Sequence, residues 1–225
     1  MKDFHPLQLK ILQKLLYSDG LRYSKIKPTK IEGSKFAFHL DQLLKLKFVN
    51  KIGTIYKLTL LGKELANRMD LGDKKIETQA KVSVLMVCIK KDKILLYTRL
   101  KSPFFGYQGF PTGKVKHGEN ILKAAKRELK EETGLIGTPK LFAVRHYKIY
   151  DLSKNLLEDK IFFACKFIDP KGVLRNNPEG TYKWIHKNKV WDYLKKPVDE
   201  VKEILDSIEN SEITFLEKEY STRGF

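Results

Sequence analysis

The segment from Gly113 to Leu135, GKVKHGENILKAAKRELKEETGL, constrains the fold of this chain more than any other stretch. Apolar residues recur at three- and four-residue spacing after Asn120, which is the period of one face of an α-helix. Gly134 ends the pattern, and glycine readily takes the left-handed conformation found after a helix. The sequence therefore predicts an amphipathic helix from Asn120 to Thr133. Its expected apolar face consists of Ile121, Leu122, Ala125 and Leu129.

Three carboxylates lie close together on the polar part of this helix. At about 100° per residue, Glu128, Glu131 and Glu132 span only about 100° of its circumference. Like charges at this spacing repel each other, and Arg127 and the helix lysines are expected to project mainly from the opposite flank. A hard divalent cation such as Mg2+, which takes carboxylate oxygens as ligands, would offset the repulsion. The alternative is an acidic face that is simply solvated.

The spacing of the charged residues distinguishes these two interpretations. Glycine is followed after five residues by Glu, after seven more by Arg-Glu, and then by an apolar residue, any residue, Glu-Glu, any residue, Gly and an apolar residue. The residues that match this pattern are Gly113, Glu119, Arg127, Glu128, Leu129, Glu131, Glu132, Gly134 and Leu135. The pattern is the Nudix box, and the chain from about Lys81 onwards resembles the Nudix hydrolases. The resemblance implies an α/β/α sandwich with a mixed β-sheet that hydrolyses a nucleoside diphosphate linked to another group.

The resemblance also implies roles for the acidic residues. Mg2+, with Mn2+ as an alternative, would be held by carboxylates, with Glu132 as the principal direct ligand. Glu119 at the helix entrance is favoured by the helix dipole and could pair with Arg127. Glu179 lies in PEGTYKWI, five residues before a tryptophan, where the family often places a further metal ligand or base, so Glu128 and Glu179 are alternatives for the general base. The expected metal ligands are Glu119, Glu128, Glu131 and Glu132, and the expected catalytic residues are Arg127, Glu128, Glu131, Glu132 and Glu179.

Substrate contacts are expected just upstream of the box, in FFGYQGFPTGK. Many members of the family have Trp-x-x-Pro-Gly-Gly-Lys here, whereas this chain has Gln108 and Thr112 in place of the tryptophan and the first glycine. Tyr107 is the aromatic residue expected to stack on a base instead. Tyr150 stands fifteen residues past the box, where the ADP-ribose subgroup tends to carry proline, which argues against ADP-ribose and leaves the substrate open. The candidate substrate-binding residues are Arg99, Tyr107, Phe110, Gly113 and Lys114, with Gly113 also giving the backbone room to turn.

A polar stretch, DLGDKKIETQA from Asp70 to Ala80, divides the chain into two parts. It has no apolar periodicity, so it is predicted to link two domains, at residues 1–75 and 79–225. The chain carries 44 Lys and Arg against 27 Asp and Glu, a formal net charge of +17, and such a surface attracts polyanions. The sequence shows neither a membrane-spanning run nor a secretory signal, and Cys88 and Cys165 lie in apolar runs typical of buried free thiols. A cytoplasmic protein is expected.

Residues 1–75 are predicted to form three helices, a β-hairpin and a closing helix. The first helix ends near Gly20, a short second helix stops before Pro28, and Ser34 is a fair N-cap for the third. Gly53 supplies the turn of a hairpin whose strands are Phe48–Lys51 and Thr54–Leu58. This order resembles the winged helix-turn-helix. The predicted fold class is therefore α+β, with an N-terminal winged helix domain followed by a Nudix sandwich.

The resemblance to winged helices implies a contact with nucleic acid. The third helix would enter the major groove of duplex DNA, and the hairpin would touch phosphate. The residues expected to make these contacts are Lys35, His39, Gln42, Lys45 and Lys51. A solvated polar face and a homodimer interface are the alternatives for the same surface.

Two functions remain open from the sequence. In the first, the protein is a Mg2+-dependent Nudix pyrophosphohydrolase whose winged helix adds nucleic-acid binding, dimerisation or regulation. In the second, it is a transcriptional regulator that uses the Nudix fold to sense a nucleotide metabolite. A pure sensor has no need of the catalytic carboxylates, and all of them are present, so the hydrolase is the first hypothesis.

Overall fold

The computed structural model describes residues 4–69 and 76–223. The chain separates into two compact units, Met1–Gln79 and Ala80–Phe225. The boundary falls inside the stretch predicted to be a linker, of which residues 70–75 lie outside the described residues. In the described part of the chain, no helix combines the length and the apolar character needed to cross a membrane.

Residues 4–69 of the N-terminal unit form four helices and a small antiparallel sheet. The elements are α1 (Pro6–Leu16), β1 (Leu21–Arg22), α2 (Tyr23–Ile26), α3 (Gly33–Lys45), β2 (Val49–Ile52), β3 (Ile55–Leu58) and α4 (Leu60–Ala66). The strands lie in the order β1-β3-β2, and Gly53, with a φ of 60°, forms the hairpin turn. The four helices and the hairpin lie where the sequence predicts them. The start of α3 differs, because Glu32 rather than Ser34 occupies the N-cap position.

The core of this unit is formed by the apolar faces of α1, α3 and the hairpin. Leu12, Phe36 and Leu43 are completely buried, at positions that the helical periodicity assigns to the inner face. Burying a side chain of this size contributes about 1.5 to 3 kcal/mol. The apolar stripes seen in the sequence are therefore a main source of stability for the unit.

The C-terminal unit is a mixed β-sheet covered by helices on both faces. Its strands are β4 (Lys81–Lys90), β5 (Lys93–Arg99), β6 (Gln108–Gly109), β7 (Thr112–Lys114), β8 (Leu135–Ile136), β9 (Pro139–Tyr150), β10 (Leu156–Ile168), β11 (Lys171–Gly172), β12 (Gly180–His186) and β13 (Thr214–Ser221). Its helices are α5 (Ile121–Thr133), α6 (Val190–Tyr193) and α7 (Val201–Ser207). The main sheet has the order β12-β5-β4-β10-β9-β13. In it, β10 runs parallel to β4 and β13 parallel to β9, while the other neighbours are antiparallel.

Successive side chains of β4 point to opposite faces of the sheet, which explains the two layers of the core. Met86 and Cys88 belong to the core beneath α5, whereas Leu85 and Val87 belong to the core beneath α6 and α7. The predicted mixed α/β architecture of this unit is confirmed. Cys88 and Cys165 are both buried and free, as predicted, and burial raises the pKa of each thiol.

Helix α5 begins and ends where the sequence predicts, but its inner face differs at one position. Ala124 is completely buried, whereas Leu122, expected on that face, is 45% exposed. Glu128 is also buried in this face. The buried face of the helix therefore combines Ala124, Ala125 and Leu129 with one carboxylate, where the apolar pattern alone predicts a continuous hydrophobic stripe.

Strands β4 and β5 are paired only next to their connecting turn, at Ile89↔Ile94 and Lys90↔Lys93. Beyond these pairs β7 adds to β4, and β6 adds to β5. The segment that carries β6 and β7 therefore lies between the two diverging strands. This arrangement brings Gly113 against α5 and places Thr112 in the lining of a pocket.

Candidate active site

Arg127 is the centre of the carboxylate cluster on α5. Its Nε and Nη2 donate to the two oxygens of Glu119, each at 2.7 Å, and its Nη1 donates to Glu128 at 2.6 Å and to Glu131 at 2.9 Å. Its Nη2 also donates to the Lys114 carbonyl at 3.0 Å. The predicted pairing of Glu119 with Arg127 is confirmed. The prediction that Arg127 projects mainly from the opposite flank of α5 is wrong, because its long side chain reaches Glu128 and Glu131 as well as Glu119.

The guanidinium also sets the charge of Glu119. Hydrogen bonds from Arg127, together with one from the backbone N–H of Lys116, lower the pKa of Glu119 to about 2. The hydrogen bonds to the carboxylates raise the pKa of Arg127 in turn. The pair of Glu119 and Arg127 therefore stays charged at neutral pH, and it ties the loop before α5 to the helix.

Glu128 is buried against Gly113. A Cβ at position 113 would lie 2.2 to 2.4 Å from the Cγ, Cδ and Oε2 of Glu128. Gly113 lies within strand β7, so the prediction that it gives the backbone room to turn is wrong. The space left by the missing side chain is filled by the carboxylate of Glu128 instead.

Neutral groups from the segment before and within β12 hold Glu132. The Tyr182 hydroxyl donates to Oε2 of Glu132 at 2.6 Å, and the Nδ2 of Asn177 donates to the same oxygen at 2.9 Å. Burial and the hydrogen bond to Glu132 raise the pKa of Tyr182, so the hydroxyl keeps its proton. Sequence reasoning missed both residues. The run NNPEG signals a turn, but no local pattern shows that this turn faces α5.

Glu179 lies in the turn before β12, where its half-exposed side chain forms an ion pair with Lys101. Its backbone N–H donates to Oδ1 of Asn177 at 2.8 Å. Lys101, another residue that sequence reasoning missed, is close enough to the α5 cluster to respond to it: burial and Arg99 lower the pKa of Lys101, while Glu132 opposes that shift. Glu179 is therefore adjacent to a cation and to the residues that hold Glu132.

The chemistry of the donor set fits a hard divalent cation. Glu128, Glu131 and Glu132 each keep one carboxylate oxygen that receives no hydrogen bond from the described residues. No three acidic, histidine or cysteine side chains among the described residues already converge as metal ligands. Arg127 holds Glu128 and Glu131, and the turn at Asn177 holds Glu132, so a cation would have to exchange some of these contacts.

A pocket opens next to this cluster, lined by the ends of β5, β9 and β10 and by the segment before α7. The ring of Tyr107 lies in its wall, with the Nζ of Lys196 4.1 Å from the ring centroid. Gln108, which stands where many relatives carry tryptophan, accepts the N–H of Lys195 at 2.7 Å and of Lys196 at 3.2 Å, so it fixes the pocket wall. Of the predicted substrate contacts, Arg99, Tyr107 and Phe110 line this pocket, while Gly113 and Lys114 lie at the carboxylate cluster.

One wall of the pocket is acidic. It contains Glu158, Asp199 and Glu200. Burial raises the pKa of Glu200 to about 7, and it also raises the pKa of Asp199. The hydroxyl of Tyr147 is buried in the same lining and has no hydrogen-bond partner within the described part of the chain. These residues come from β9, β10 and the segment just before α7. The sheet order that brings them together is not visible in the sequence.

The predicted nucleic-acid contacts of the N-terminal unit do not all share one surface. Four of them have accessible side chains, namely Lys35, Gln42, Lys45 and Lys51. His39 is only 8% exposed, and its ring stacks on His5 with centroids 4.0 Å apart. The prediction that His39 lies on the outer face is wrong, because helical spacing places it between Phe36 and Leu43, on the inner side of α3.

Comparison with known proteins bears on the C-terminal unit. The NUDIX domain model matches residues 77–206. An ADP-ribose pyrophosphatase of Methanocaldococcus jannaschii is 39% identical over 88 residues, which are 37% of this chain and 52% of that protein. An 8-oxo-dGTP diphosphatase of Buchnera aphidicola is 32% identical over 103 residues, 45% of this chain and 74% of that protein. Both relatives are hydrolases of phosphoanhydride bonds.

Among solved structures, the MutT protein of Bacillus halodurans has a TM-score of 0.55 at 23% identity, over 64% of this chain and 93% of that one. Identity at this level shows the fold alone. The chain spans only about half the length of the ADP-ribose pyrophosphatase that it matches. The family match covers more than half of the chain and includes the whole segment Gly113–Leu135, and on this basis the chain belongs to the NUDIX domain family.

Proposed function

We propose that this chain is a Mg2+-dependent pyrophosphohydrolase that cleaves a nucleoside diphosphate linked to another group. The observation that carries the proposal is the cluster on α5, where Glu128, Glu131 and Glu132 each keep a carboxylate oxygen without a hydrogen bond from the described residues. These oxygens lie on one helix and are open to a single hard cation. Mn2+, which also accepts carboxylate ligands, is the alternative metal.

The four carboxylates have two proposed roles, three as metal ligands and one as the residue that orients Arg127. Glu128, Glu131 and Glu132 would hold the metal, which when bound neutralises phosphate charge and lowers the pKa of a coordinated water. Both oxygens of Glu119 accept hydrogen bonds from Arg127. We therefore assign Glu119 to orienting Arg127, and Arg127 to holding Glu128 and Glu131 in place through its Nη1.

Proton transfer needs a carboxylate that can move towards the attacking water. Glu128 is wedged between Gly113 and Arg127, whereas Glu179 lies half exposed on a turn. We therefore favour Glu179 as the general base. Its partner Lys101 would be free to approach a phosphate oxygen when the ion pair between them opens.

The pocket supports a nucleotide as the substrate. Tyr107 would stack on the base, Arg99 and Lys114 would lie towards the phosphates, and Phe110 would form part of the pocket floor. The two relatives act on ADP-ribose and on 8-oxo-dGTP by name, and both compounds are nucleoside diphosphate derivatives. Tyr150 argues against ADP-ribose, whereas the higher identity to the ADP-ribose pyrophosphatase, 39% against 32%, argues for it, so both compounds belong in the test.

For the N-terminal unit we propose a winged helix that contacts duplex DNA. Its element order and its three-stranded sheet support the proposal. The contacts would be Lys35, Gln42, Lys45 and Lys51, without His39, which is buried. A homodimer interface is the competing use of the same surface.

The N-terminal unit favours a second candidate function. In this alternative, the protein regulates transcription, and the Nudix fold binds a nucleotide metabolite as an effector. The two functions differ in one outcome, since a sensor binds the nucleotide and changes its affinity for DNA without consuming the nucleotide.

The decisive experiment is a substrate panel with the purified full chain. The panel contains nucleoside triphosphates, 8-oxo-dGTP, ADP-ribose, dinucleoside polyphosphates and nucleotide sugars, with products resolved by chromatography. We expect at least one compound to release a nucleoside monophosphate, EDTA to stop the reaction, and added Mg2+ to restore it. Absence of metal-dependent turnover across the panel, with binding retained, would support the sensor and contradict the hydrolase.

A further inference from the structure

Glu132 differs from the other carboxylates of α5 in what holds it. Arg127 donates to Glu119, Glu128 and Glu131. Glu132 receives its hydrogen bonds from a phenol and an amide instead. Neutral donors fix the direction of a carboxylate but leave its negative charge in place. The other oxygen of Glu132 receives no hydrogen bond from the described residues and is open to a cation.

The two donors are themselves firmly placed. The ring of Tyr182 stacks on Tyr97 with centroids 5.4 Å apart and an interplanar angle of 26°, and its backbone N–H donates to Oδ1 of Asn176 at 2.8 Å. The amide of Asn177 donates to the Tyr182 hydroxyl at 3.3 Å as well as to Glu132. Both donors aim at Oε2 of Glu132, which leaves Oε1 as the oxygen that faces away from them.

The other end of the Asn177 amide holds the turn that carries Glu179. Its Oδ1 accepts the N–H of Glu179 at 2.8 Å and the N–H of Gly180 at 2.9 Å. Its Nδ2 also donates to the backbone carbonyl of Glu132 at 3.1 Å. One side chain thus joins α5 to the turn. An amide suits this position because it carries a donor for the carboxylate and an acceptor for the backbone N–H on one planar group.

We propose that Asn177 and Tyr182 are positioning residues that orient Glu132 as a metal ligand, and that Asn177 sets the distance between Glu132 and the turn bearing Glu179. The proposal rests on the proposed function, in which Glu132 binds the metal. Groups that orient a metal ligand from behind typically change metal affinity or activity by about 10- to 100-fold when removed. Tyr182→Phe removes one donor and keeps the stacked ring, and Asn177→Ala removes both ends of the bridge.

The test measures Mn2+ binding to the full chain without substrate, by electron paramagnetic resonance of the free ion. We expect the dissociation constant to rise about 10-fold in Tyr182→Phe and in Asn177→Ala. In the Glu132→Gln background we expect the same two substitutions to change the constant by less than about 2-fold, because residues that act through one group are not additive. Additive losses in that background would overturn the proposal.

Asn176→Ala is the matched control. It loosens the same turn by removing the acceptor for the Tyr182 N–H, but its side chain is not a partner of Glu132 in the hydrogen bonds found there. We expect a lower melting temperature with near-normal Mn2+ binding, and a loss equal to that of Asn177→Ala would show that the turn acts only through its stability. If Mn2+ binding is normal in Tyr182→Phe and Asn177→Ala but impaired in Glu132→Gln, the positioning role is contradicted while Glu132 remains a metal ligand. Normal Mn2+ binding in Glu132→Gln defeats the ligand assignment and, with it, this proposal.

Discussion

Two helices of equal length, α3 and α5 with 13 residues each, carry their polar residues in opposite ways. On α5, groups from distant parts of the sequence bind the polar side chains, including the Lys114 carbonyl and the Tyr182 hydroxyl. Within the described residues of the chain, Lys45 of α3 forms an ion pair only with Asp41, one turn earlier at 2.8 Å, and Lys35 forms none. One polar face is built into the fold, and the other is open to solvent.

This difference decides how far each helix supports a function. Ordering long side chains has an entropic penalty, so a network of distant partners is evidence of a preorganised site. An exposed ion pair such as Lys45 with Asp41 contributes about 0.3 to 0.5 kcal/mol and shows only that the surface is charged. Function at α5 can therefore be argued from the chain itself, whereas function at α3 depends on a partner that must be found by experiment.

The largest effect is expected from Glu132→Gln on α5. The substitution keeps the shape of the side chain and an acceptor for Tyr182, but it removes a charge from the proposed metal site. We expect kcat to fall by about 100-fold or more, with a melting temperature close to that of the wild type. Steady-state kinetics with the best compound of the substrate panel, followed by thermal unfolding, would measure both.

Glu212→Gln is the control for this change of charge, because Glu212 is an exposed acid in the same unit. It should leave kcat and Mg2+ dependence unchanged. If Glu132→Gln behaved in the same way as Glu212→Gln, the contrast between α5 and α3 would lose its functional meaning.

Much of α5 could be predicted from sequence because its signals are local. The period of the apolar residues, Gly134 after the last turn and the spacing of the glutamates all lie within one helix and its entrance. The pairing of Glu119 with Arg127 follows from the same segment. The error about Arg127 has a local cause too, since the direction of a long side chain is not set by its place on a helical wheel.

The rest of the site could not be predicted because its residues are brought together only by the sheet. Tyr182 lies in β12 and Asn177 just before it, and both contact Glu132 of α5. Lys101 contacts Glu179 from the loop after β5. Gly113 shows the same limit. Its lack of a side chain is visible in the sequence, but the carboxylate that fills the space comes from α5 and is visible only in the fold.

A smaller effect is expected on α3 and the hairpin if they bind duplex DNA. Each phosphate contact contributes about 0.9 to the slope of log K against log salt, so replacing Lys35, Lys45 and Lys51 together with alanine should reduce the slope by up to about 2.7. Affinity for a duplex should fall, while turnover at the α5 cluster changes little. Fluorescence anisotropy over a series of salt concentrations would measure the slope.

The control for that triple variant removes the same charge elsewhere in the unit. Lys10, Lys25 and Lys63 are exposed residues of α1, α2 and α4, and their combined replacement by alanine should leave most of the slope intact. Equal losses in both triple variants would indicate a general attraction to the basic surface. Equal affinity for the wild type and the α3 variant would show that this face does not bind DNA.

The smallest effect is expected at His39, on the buried side of α3. Burial, with contributions from His5 and Lys35, lowers the pKa of His39 below its usual value of 6.5, and its Nδ1 is buried without a hydrogen-bond partner in the described part of the chain. The folded state therefore favours the neutral ring. The resulting stability is present above pH 6.5 and is lost as the pH falls towards the lowered pKa.

NMR of the histidine rings during a pH titration would give the pKa of His39 directly. Denaturant unfolding of the N-terminal unit, followed by α3 amide resonances, should show a lower free energy of unfolding at pH 5.5 than at pH 7.5. His39→Leu should flatten that dependence because the side chain no longer takes up a proton. His117→Leu, which replaces an exposed histidine of the other unit, should leave it unchanged. A His39 pKa at or above 6.5 would contradict the burial of this ring and would place His39 on the solvent-exposed face of α3.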